Sequence, residues 1–451
     1  MSAPVLLTST QLDELKPLLA PLVDSLGDMQ WRQSKTGQWN GGQMAGRRWP
    51  VACVSLEITQ RCNLDCTLCY LSDSAESLRD LPLEEVYRRI DLILAHYGPG
   101  TDVQVSGGEP ALRPRDELIA IVRRLAQRGL RPTLLTNGIT ATRELLLDLC
   151  QVGLVDVAFH VDTTQQRSGS RIEAELHGVR LAYIERARGL PLGVFFNTSV
   201  HEGNLGQVAE LAAFFKVHAD VVRFASFQLQ ADTGRGTLRE RGGAVTQAAI
   251  QCEIERGAGT ALKFNTLRAG HHDCNRSAVV LVAAGQAWDA FDDEAFIRRF
   301  MRETAGVVIE RGTPWRAARS LLAAVAVRPR LAIASLRWML RMAWRQRRVL
   351  CRSRGQVHKL TFFTHNFMDA CALDRDRVEA CVFMAMTQHG PLSMCAFNAK
   401  RDAYLLQPLT VAGSTWEPRA PIVAAKIHVL RGRQREAWLR AREAAGSEPA
   451  T

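Results

Sequence analysis

The sequence predicts an α/β fold organised by a parallel sheet and followed by an α-rich, cysteine-containing C-terminal extension. Three observations lead there. β-Branched apolar runs alternate with helix-length amphipathic segments from residue 51 to residue 229. Three cysteines fall within residues 62–69, directly after the first such run. From Pro314 to Arg354 every charged side chain is an arginine, 11 of them with no Asp, Glu or Lys.

The first strand spans 51–59, VACVSLEIT, where Val54, Leu56 and Ile58 alternate with Cys53, Ser55 and Glu57. An amphipathic stretch follows at 82–97, then strand 102–106, helix 114–128, strand 132–136 and helix 142–151. Strand 155–162, helix 171–188, strand 192–200, helix 204–216 and strand 221–229 continue the series. Alternation at these lengths indicates βαβ units, whose strands pair in parallel. Ahead of it, 1–50 reads as a helix-and-loop extension. The helical pattern of Leu12, Leu15, Leu18, Leu19 and Leu22 is cut by Pro17 and Pro21, and the Gly/Gln-rich stretch 31–50 is expected to cover one end of the sheet. Beyond it, 236–313 reads as a linking region containing Cys274. A basic amphipathic helical segment (314–354), a second cysteine region (355–410) and a solvated tail (411–451) complete the chain.

With 451 residues, the chain suffices for two or three domains and a sizeable core. Apolar residues at 47% and charged ones at 23% exclude wholesale disorder. No run of about 18 residues is apolar and uncharged, which argues against a spanning helix. The N-terminus carries early acidic residues and no basic region before an apolar run, so no secretory signal is expected. The formal net charge is +11, matched by the arginine segment, so the remainder is about neutral. Eleven cysteines, an odd number, favour a reducing compartment over a disulfide framework. The expected location is cytoplasmic.

The first strand runs into QRCNLDCTLCY, which sets Cys62, Cys66 and Cys69 at C-x3-C-x2-C with Tyr70 behind them. Three thiolates cannot close a four-coordinate zinc site alone. They can hold three corners of a [4Fe–4S] cube and leave the fourth iron open. The competing readings are half a zinc ribbon or three unrelated buried thiols. The spacing resembles the radical S-adenosylmethionine (SAM) superfamily. VQVSGGEP at 103–110 and TLLTNG at 133–138 resemble that superfamily's second- and third-strand motifs.

This resemblance covers roughly 51–230. It implies a partial (β/α)6 barrel over 51–235, with its chemistry at the C-terminal ends of the strands. Cys62, Cys66 and Cys69 would hold the catalytic cluster; Tyr70, Ser106, Gly107, Gly108, Glu109, Pro110, Asn137 and Asp162 would bind the cofactor. The implied reaction is reductive cleavage of SAM to a 5′-deoxyadenosyl radical, which takes hydrogen from an unactivated carbon. A one-electron reductant such as a ferredoxin or flavodoxin is the implied partner. His160 lies near a strand end, where a lone histidine is more often packed than catalytic.

Cys274, in GHHDCNR, and Cys371, Cys381 and Cys395, in 364–398, can complete an auxiliary [4Fe–4S] cluster. The alternative is that they are buried small hydrophobes, and Cys381, in the apolar run EACVFMAM, is the most open to that doubt. His271 and His272 are alternative ligands, although adjacent histidines point in different directions. His271 to Cys274, His365 to Asp369, Cys371, Cys381 and Cys395 to Asn398 resemble a narrower branch. That branch comprises the archaeal tetraether lipid synthases and their bacterial relatives, near the dihydropterin methyltransferase-like radical SAM proteins. It implies a hydrophobic, lipid-like substrate. One departure is that those enzymes carry a further cysteine-bound iron site toward the N-terminus, whereas no Cys precedes Cys53. The alternative substrates are a ribosomal peptide, an RNA or a pterin. Cys53, Cys150, Cys252 and Cys351 are assigned to packing or surface.

At 100° per residue, Arg337, Arg341, Arg345 and Arg348 share one helical face. Leu336, Met339, Ala343 and Leu350 lie opposite, Trp338 and Trp344 fall near the seams, and Arg347 breaks the pattern. Pro329 divides the segment into two helices. This layout predicts a helix lying in a membrane interface, hence peripheral association with membrane lipid. A helix packed on the barrel and an RNA-contacting strip compete with it. The lack of Lys and of an RNA-binding module weighs against specific nucleic acid.

Overall fold

The structure is a computed structural model that describes residues 4–238, 245–307 and 314–419. Most of the expected tail lies outside the described residues. The N-terminal leucine pattern yields a single short helix, α1 (Ser9–Glu14), closed by a capping box between Thr8 and Gln11. Helix α2 (Ser25–Lys35) starts where Asp24 caps Gly27 N–H, inside a stretch read partly as loop. This extension lies along the C-terminal block. Leu7 N–H donates to Leu373 O at 2.8 Å and Leu18 N–H to Pro391 O at 3.0 Å.

Period-two alternation builds the sheet. In β1 (Cys53–Thr59), Val54, Leu56 and Ile58 join a core with Val86, Ile90 and Ile93 of α3 (Leu83–Tyr97), while Ser55 and Glu57 line an interior cavity. In β2 (Asp102–Gly107), Val103 and Val105 are buried in that core and Gln104 and Ser106 face the cavity. Helix α4 (Arg115–Gln127), β3 (Arg131–Thr136), α5 (Arg143–Gln151) and β4 (Asp156–His160) follow. Next come α6 (His177–Ala187), β5 (Gly193–Val200), α7 (Glu202–Leu205), α8 (Val208–Val217) and β6 (Val222–Leu229). All six strands pair in parallel in chain order. The helix expected over 171–188 is shortened to α6, because 163–176 winds into short 3-10 turns instead.

The C-terminal extension is helical as expected, opening with helix α9 (Gln247–Ala258), and it also adds five strands to this sheet. These are β7 (Asn275–Ala283), β8 (Gln286–Asp289), β9 (His358–Asn366), β10 (Phe383–Thr387) and β11 (Gly390–Ser393). The order is β11-β10-β1-β2-β3-β4-β5-β6-β9-β7-β8. Strand β10 pairs in parallel with β1, and β9 in parallel with β6, so six parallel strands become eight. Strands β7, β8 and β11 add antiparallel margins. The ring of Phe383 in β10 stands 6.2 Å from Phe363 and 4.5 Å from His365, both in β9. The sheet therefore curls until its two flanks meet through side chains.

The basic segment forms α11 (Pro314–Ala326), α12 (Pro329–Arg345) and α13 (Arg347–Arg352), after α10 (Glu294–Glu303). Pro329 opens α12 at its first turn, where its missing N–H costs nothing. The face expected to be basic and solvated is partly tethered. Arg341 reaches Asp293 and Arg345 reaches Asp292, each at 2.9 Å. Trp338 donates Nε1–H to Asp292 and stacks on Phe296. No helix among the described residues is long and apolar enough to cross a membrane.

Candidate active site

Cys62, Cys66 and Cys69 sit on the irregular loop after β1, half-buried and unpaired by disulfides. All three line one cavity of about 220 Å³. Burial pushes the Cys62 thiol up to about 11 and the Cys66 thiol well above its ordinary value; a bound metal would displace such protons. Among the described residues, only His271, His272 and Asp273 form a trio of ligand atoms all within 4.8 Å. The three sulfurs are thus spread wider than the roughly 3.8 Å that one tetrahedral zinc, with bonds of about 2.3 Å, would impose. A soft, widely spaced donor set beside a roomy cavity fits a multi-iron cluster.

The glycine motif meets the cluster loop directly. Gly108 N–H donates to Thr59 O at 2.9 Å and Glu109 N–H to Arg61 O at 2.7 Å. A Cβ on Gly107 would stand 1.9 Å from Thr59 O, and one on Gly108 would stand 2.1 Å from Arg61 O. Glycine is required here by backbone packed on backbone, with Gly107 at φ +120°. Glu109 is fully buried. It accepts from Ala111 N–H, Thr136 Oγ1–H and Asn137 N–H, so it fastens this loop to the TNG loop instead of facing the cavity. Asn137 donates to Asn63 Oδ1 on the cluster loop at 2.6 Å. Tyr70 donates its hydroxyl to Gly107 O at 2.7 Å, and Ser106 Oγ shares a hydrogen bond with Ser55 Oγ. Pro110 is buried and opens a 3-10 turn.

Asp162 is also fully buried. Its oxygens accept from Thr164 N–H, Thr164 Oγ1–H and Ser199 N–H, and its Oδ2 lies 2.6 Å from His160 Nε2. It therefore reaches the cavity only through its partners His160 and Ser199, both of which line the wall.

Two arginines that touch these groups escaped the sequence reading. Arg235 donates Nε–H to Cys69 Sγ at 3.4 Å and pairs with Glu76 at 2.8 Å. Arg401 grips both oxygens of Glu57 at 2.6 Å and lies over the rings of Tyr70 and Phe397.

The structure brings three of the four outlying cysteines together. Cys274, Cys381 and Cys395 line a second, tighter cavity with His271, His365 and Arg377. Its open space of about 10 Å³, about that of one water, is too small for an organic substrate. Arg377 donates Nε–H to Cys274 Sγ at 3.3 Å. Burial lowers His365 to about 3 and His271 to about 4, leaving both imidazoles neutral and fit to ligate. Cys371 stands apart and exposed. Its turn is pinned to Asp232 by Ala370 N–H at 2.9 Å and by Asp369 Oδ1 at 2.7 Å. The rings of His271 and His272 stack at 4.6 Å instead of diverging. Phe367 and Met394 line both cavities and form the wall between them.

Residues 56–214 match the family model described as the Radical SAM superfamily. A PqqA peptide cyclase of Bradyrhizobium diazoefficiens is 30% identical over 185 residues, covering 40% of this chain and 47% of that protein. A GTP 3′,8-cyclase of Streptomyces coelicolor is 34% identical over 200 residues, covering 42% and 56%. The chain spans about half the length of the curated relatives it matches. SuiB of Streptococcus suis bound to S-adenosylmethionine aligns at a TM-score of 0.36 and 15% identity, covering 46% of each chain. The structure of anSMEcpe with bound AdoMet and Cp18Cys peptide aligns at 0.35 and 16%, covering 45% of this chain and 57% of that one. Likenesses this weak add nothing to the fold derived above. None of these relatives is a tetraether lipid synthase, and the narrower resemblance of the C-terminal block gains no support from them.

Proposed function

We propose, from the premise that this chain carries a radical SAM domain, that it abstracts hydrogen from a peptide-like substrate held inside the barrel. When bound, a [4Fe–4S] cluster with SAM supplies a 5′-deoxyadenosyl radical on receiving one electron, here from a ferredoxin or flavodoxin. Cys62, Cys66 and Cys69 would hold that cluster. Arg235 places a cation beside one of its sulfurs, and Asn137 and Glu109 fix the loops on either side. Tyr70 and Glu57 line the cavity, and Arg401 ties Glu57 to the C-terminal block.

The observation that carries this reading is a set of amides set into an otherwise largely apolar cavity. Gln104, Asn197, Ser199, Gln228 and Gln230 line the cavity beside His160. A lipid chain would leave the side-chain amides of Gln104, Asn197 and Gln228 unanswered, at a cost of about 1–3 kcal/mol each, so the expected lipid-like substrate is not carried forward. Amides that both donate and accept suit a peptide backbone. A triphosphate would call for lysines or arginines, and none lines this cavity among the described residues. The curated relatives named for a peptide cyclisation point in the same direction. We assign Cys274, Cys381 and Cys395 to an auxiliary cluster, with His271 or His365 in the place left by Cys371.

The test is hydrogen transfer from a deuterated cell extract split into peptide, nucleotide and lipid fractions. Reconstituted, reduced protein should place deuterium in 5′-deoxyadenosine from the peptide fraction. Label arriving only from the lipid fraction would sink the peptide assignment, and no 5′-deoxyadenosine from any fraction would sink the activity itself.

A further inference from the structure

Helix α12 buries one stripe and leaves a second apolar stripe bare. Leu331, Ser335 and Met342 are buried against the body of the protein, and Trp338 joins them through Asp292 and Phe296. On the opposite side, Ile333, Leu336, Met339, Leu340 and Trp344 are each at least half exposed, up to 69% for Trp344. Trp315 and Leu322 of α11, and Val327 in the turn between the helices, are 60–75% exposed. Water-facing apolar side chains rarely gather in one hairpin unless something covers them.

Charge identifies the cover. At 100° per residue, Arg330 and Arg337 border the bare stripe, and both are exposed. Arg347 lies over the ring of Trp344 at 4.5 Å. The whole of 314–354 contains no acidic residue, so a neutral or basic surface gains nothing from meeting it and an anionic one gains at every arginine. Trp344, apolar in body with a donor at its edge, suits a headgroup boundary. We infer that the α11–α12 hairpin docks in the plane of an anionic lipid bilayer, inserting the Ile333–Trp344 stripe below the headgroups. Arg341 and Arg345 serve the opposite purpose of holding the hairpin to Asp292 and Asp293. The inference stands apart from the enzymatic reading and concerns where the protein works.

Co-sedimentation with vesicles of phosphatidylcholine, alone or mixed with phosphatidylglycerol, tests it on the full chain. The wild type should bind the mixed vesicles, and Leu336→Glu/Met339→Glu/Leu340→Glu should abolish that binding with the melting temperature unchanged, since those positions are exposed. Arg330→Gln/Arg337→Gln should weaken binding to the mixed vesicles by about 25-fold, each basic residue near such a surface contributing about fivefold. Equal binding of wild type and triple variant would overturn the inference. So would absence of vesicle binding by a wild-type dimer that the triple variant converts to monomer, because the stripe would then meet a second copy.

Discussion

Arg235 is separated from Cys69 by 166 positions, yet its Nε–H ends 3.4 Å from that sulfur. A cationic donor at a ligating sulfur favours the electron-rich state of a cluster. Arg235→Leu should therefore lower the midpoint potential by on the order of tens of millivolts with iron content retained, and Arg235→Lys should recover part of the shift. An EPR-monitored redox titration reads this directly, and an unchanged potential would reduce the arginine to a partner of Glu76. His160 offers a second test. Burial alone would lower its pKa, but the Asp162 carboxylate at 2.6 Å outweighs burial and raises it above the ordinary 6.5. Burial likewise opposes the ionised Asp162, but His160 and the hydrogen bonds from Thr164 and Ser199 hold it below the ordinary 3.8. The pair is thus fully stabilising between those ordinary values. It fades as pH rises through the raised histidine pKa or falls through the depressed aspartate pKa. His160→Gln should cost about 1–2 kcal/mol in that window, and the gap from wild type should close progressively above neutrality in thermal melts across pH. The cysteine trio was legible because its members are neighbours in sequence. Arg235, Arg401 and the buried role of Asp162 were not, since each is defined by what the folded chain brings to it.

At the scale of elements, local patterns spoke clearly where the pairing is local. The strands β1 to β6 fall where alternation places them, because each buries one face and turns polar residues inward. The GGEP and TNG motifs were visible too, but their geometry differs from a simple ligand cradle: Gly107 and Gly108 accommodate the backbone of 59–61. Gly107→Ala would force both a Cβ 1.9 Å from Thr59 O and a side chain at φ +120°. It should destabilise the fold by about 3 kcal/mol or more and displace the loop that carries Cys62. Chemical denaturation of apo-protein, together with iron uptake on reconstitution, would register both effects; a variant with wild-type stability and full iron would refute the backbone-contact account. The extension is helical as expected, but its strands were hidden for the converse reason. Strands β9 and β10 pair with β6 and β1 far along the chain, and neither carries a local sign of its partner. The amphipathic reading of α12 found two faces where the helix has three: one buried stripe, one tethered basic edge and one bare apolar stripe.

For the whole molecule, the consequence is a barrel whose last joint lacks a backbone ladder. Among the described residues, β9 is paired to β6 and β7, and β10 to β1 and β11, so the two flanks meet through side chains, among them Phe363, His365 and Phe383 and Arg377, which donates to Asn366 O. The second thiol set straddles that joint. Cys274 directly precedes β7 on one flank, whereas Cys381 precedes β10 and Cys395 lies in the first turn of the short helix Met394–Ala399, just after β11 on the other. A metal group held by all three would tie the ends of the sheet together and close loops as long as the span from 274 to 395. The first set spans only 62–69 and closes almost no chain. Cross-links that close longer loops remove more freedom from the unfolded chain. The two sites should therefore differ in kind as well as place. Loss of the second metal group through Cys274→Ser/Cys381→Ser/Cys395→Ser should lower the melting temperature of reconstituted protein by several degrees, about 1–3 kcal/mol for a chain of this size, and expose 367–382 to protease. Loss of the first through Cys62→Ser/Cys66→Ser/Cys69→Ser should abolish 5′-deoxyadenosine formation with a much smaller change in melting. Equal melting losses from the two triple variants would mean that the second site closes nothing and that the barrel is held shut by its side-chain contacts without it.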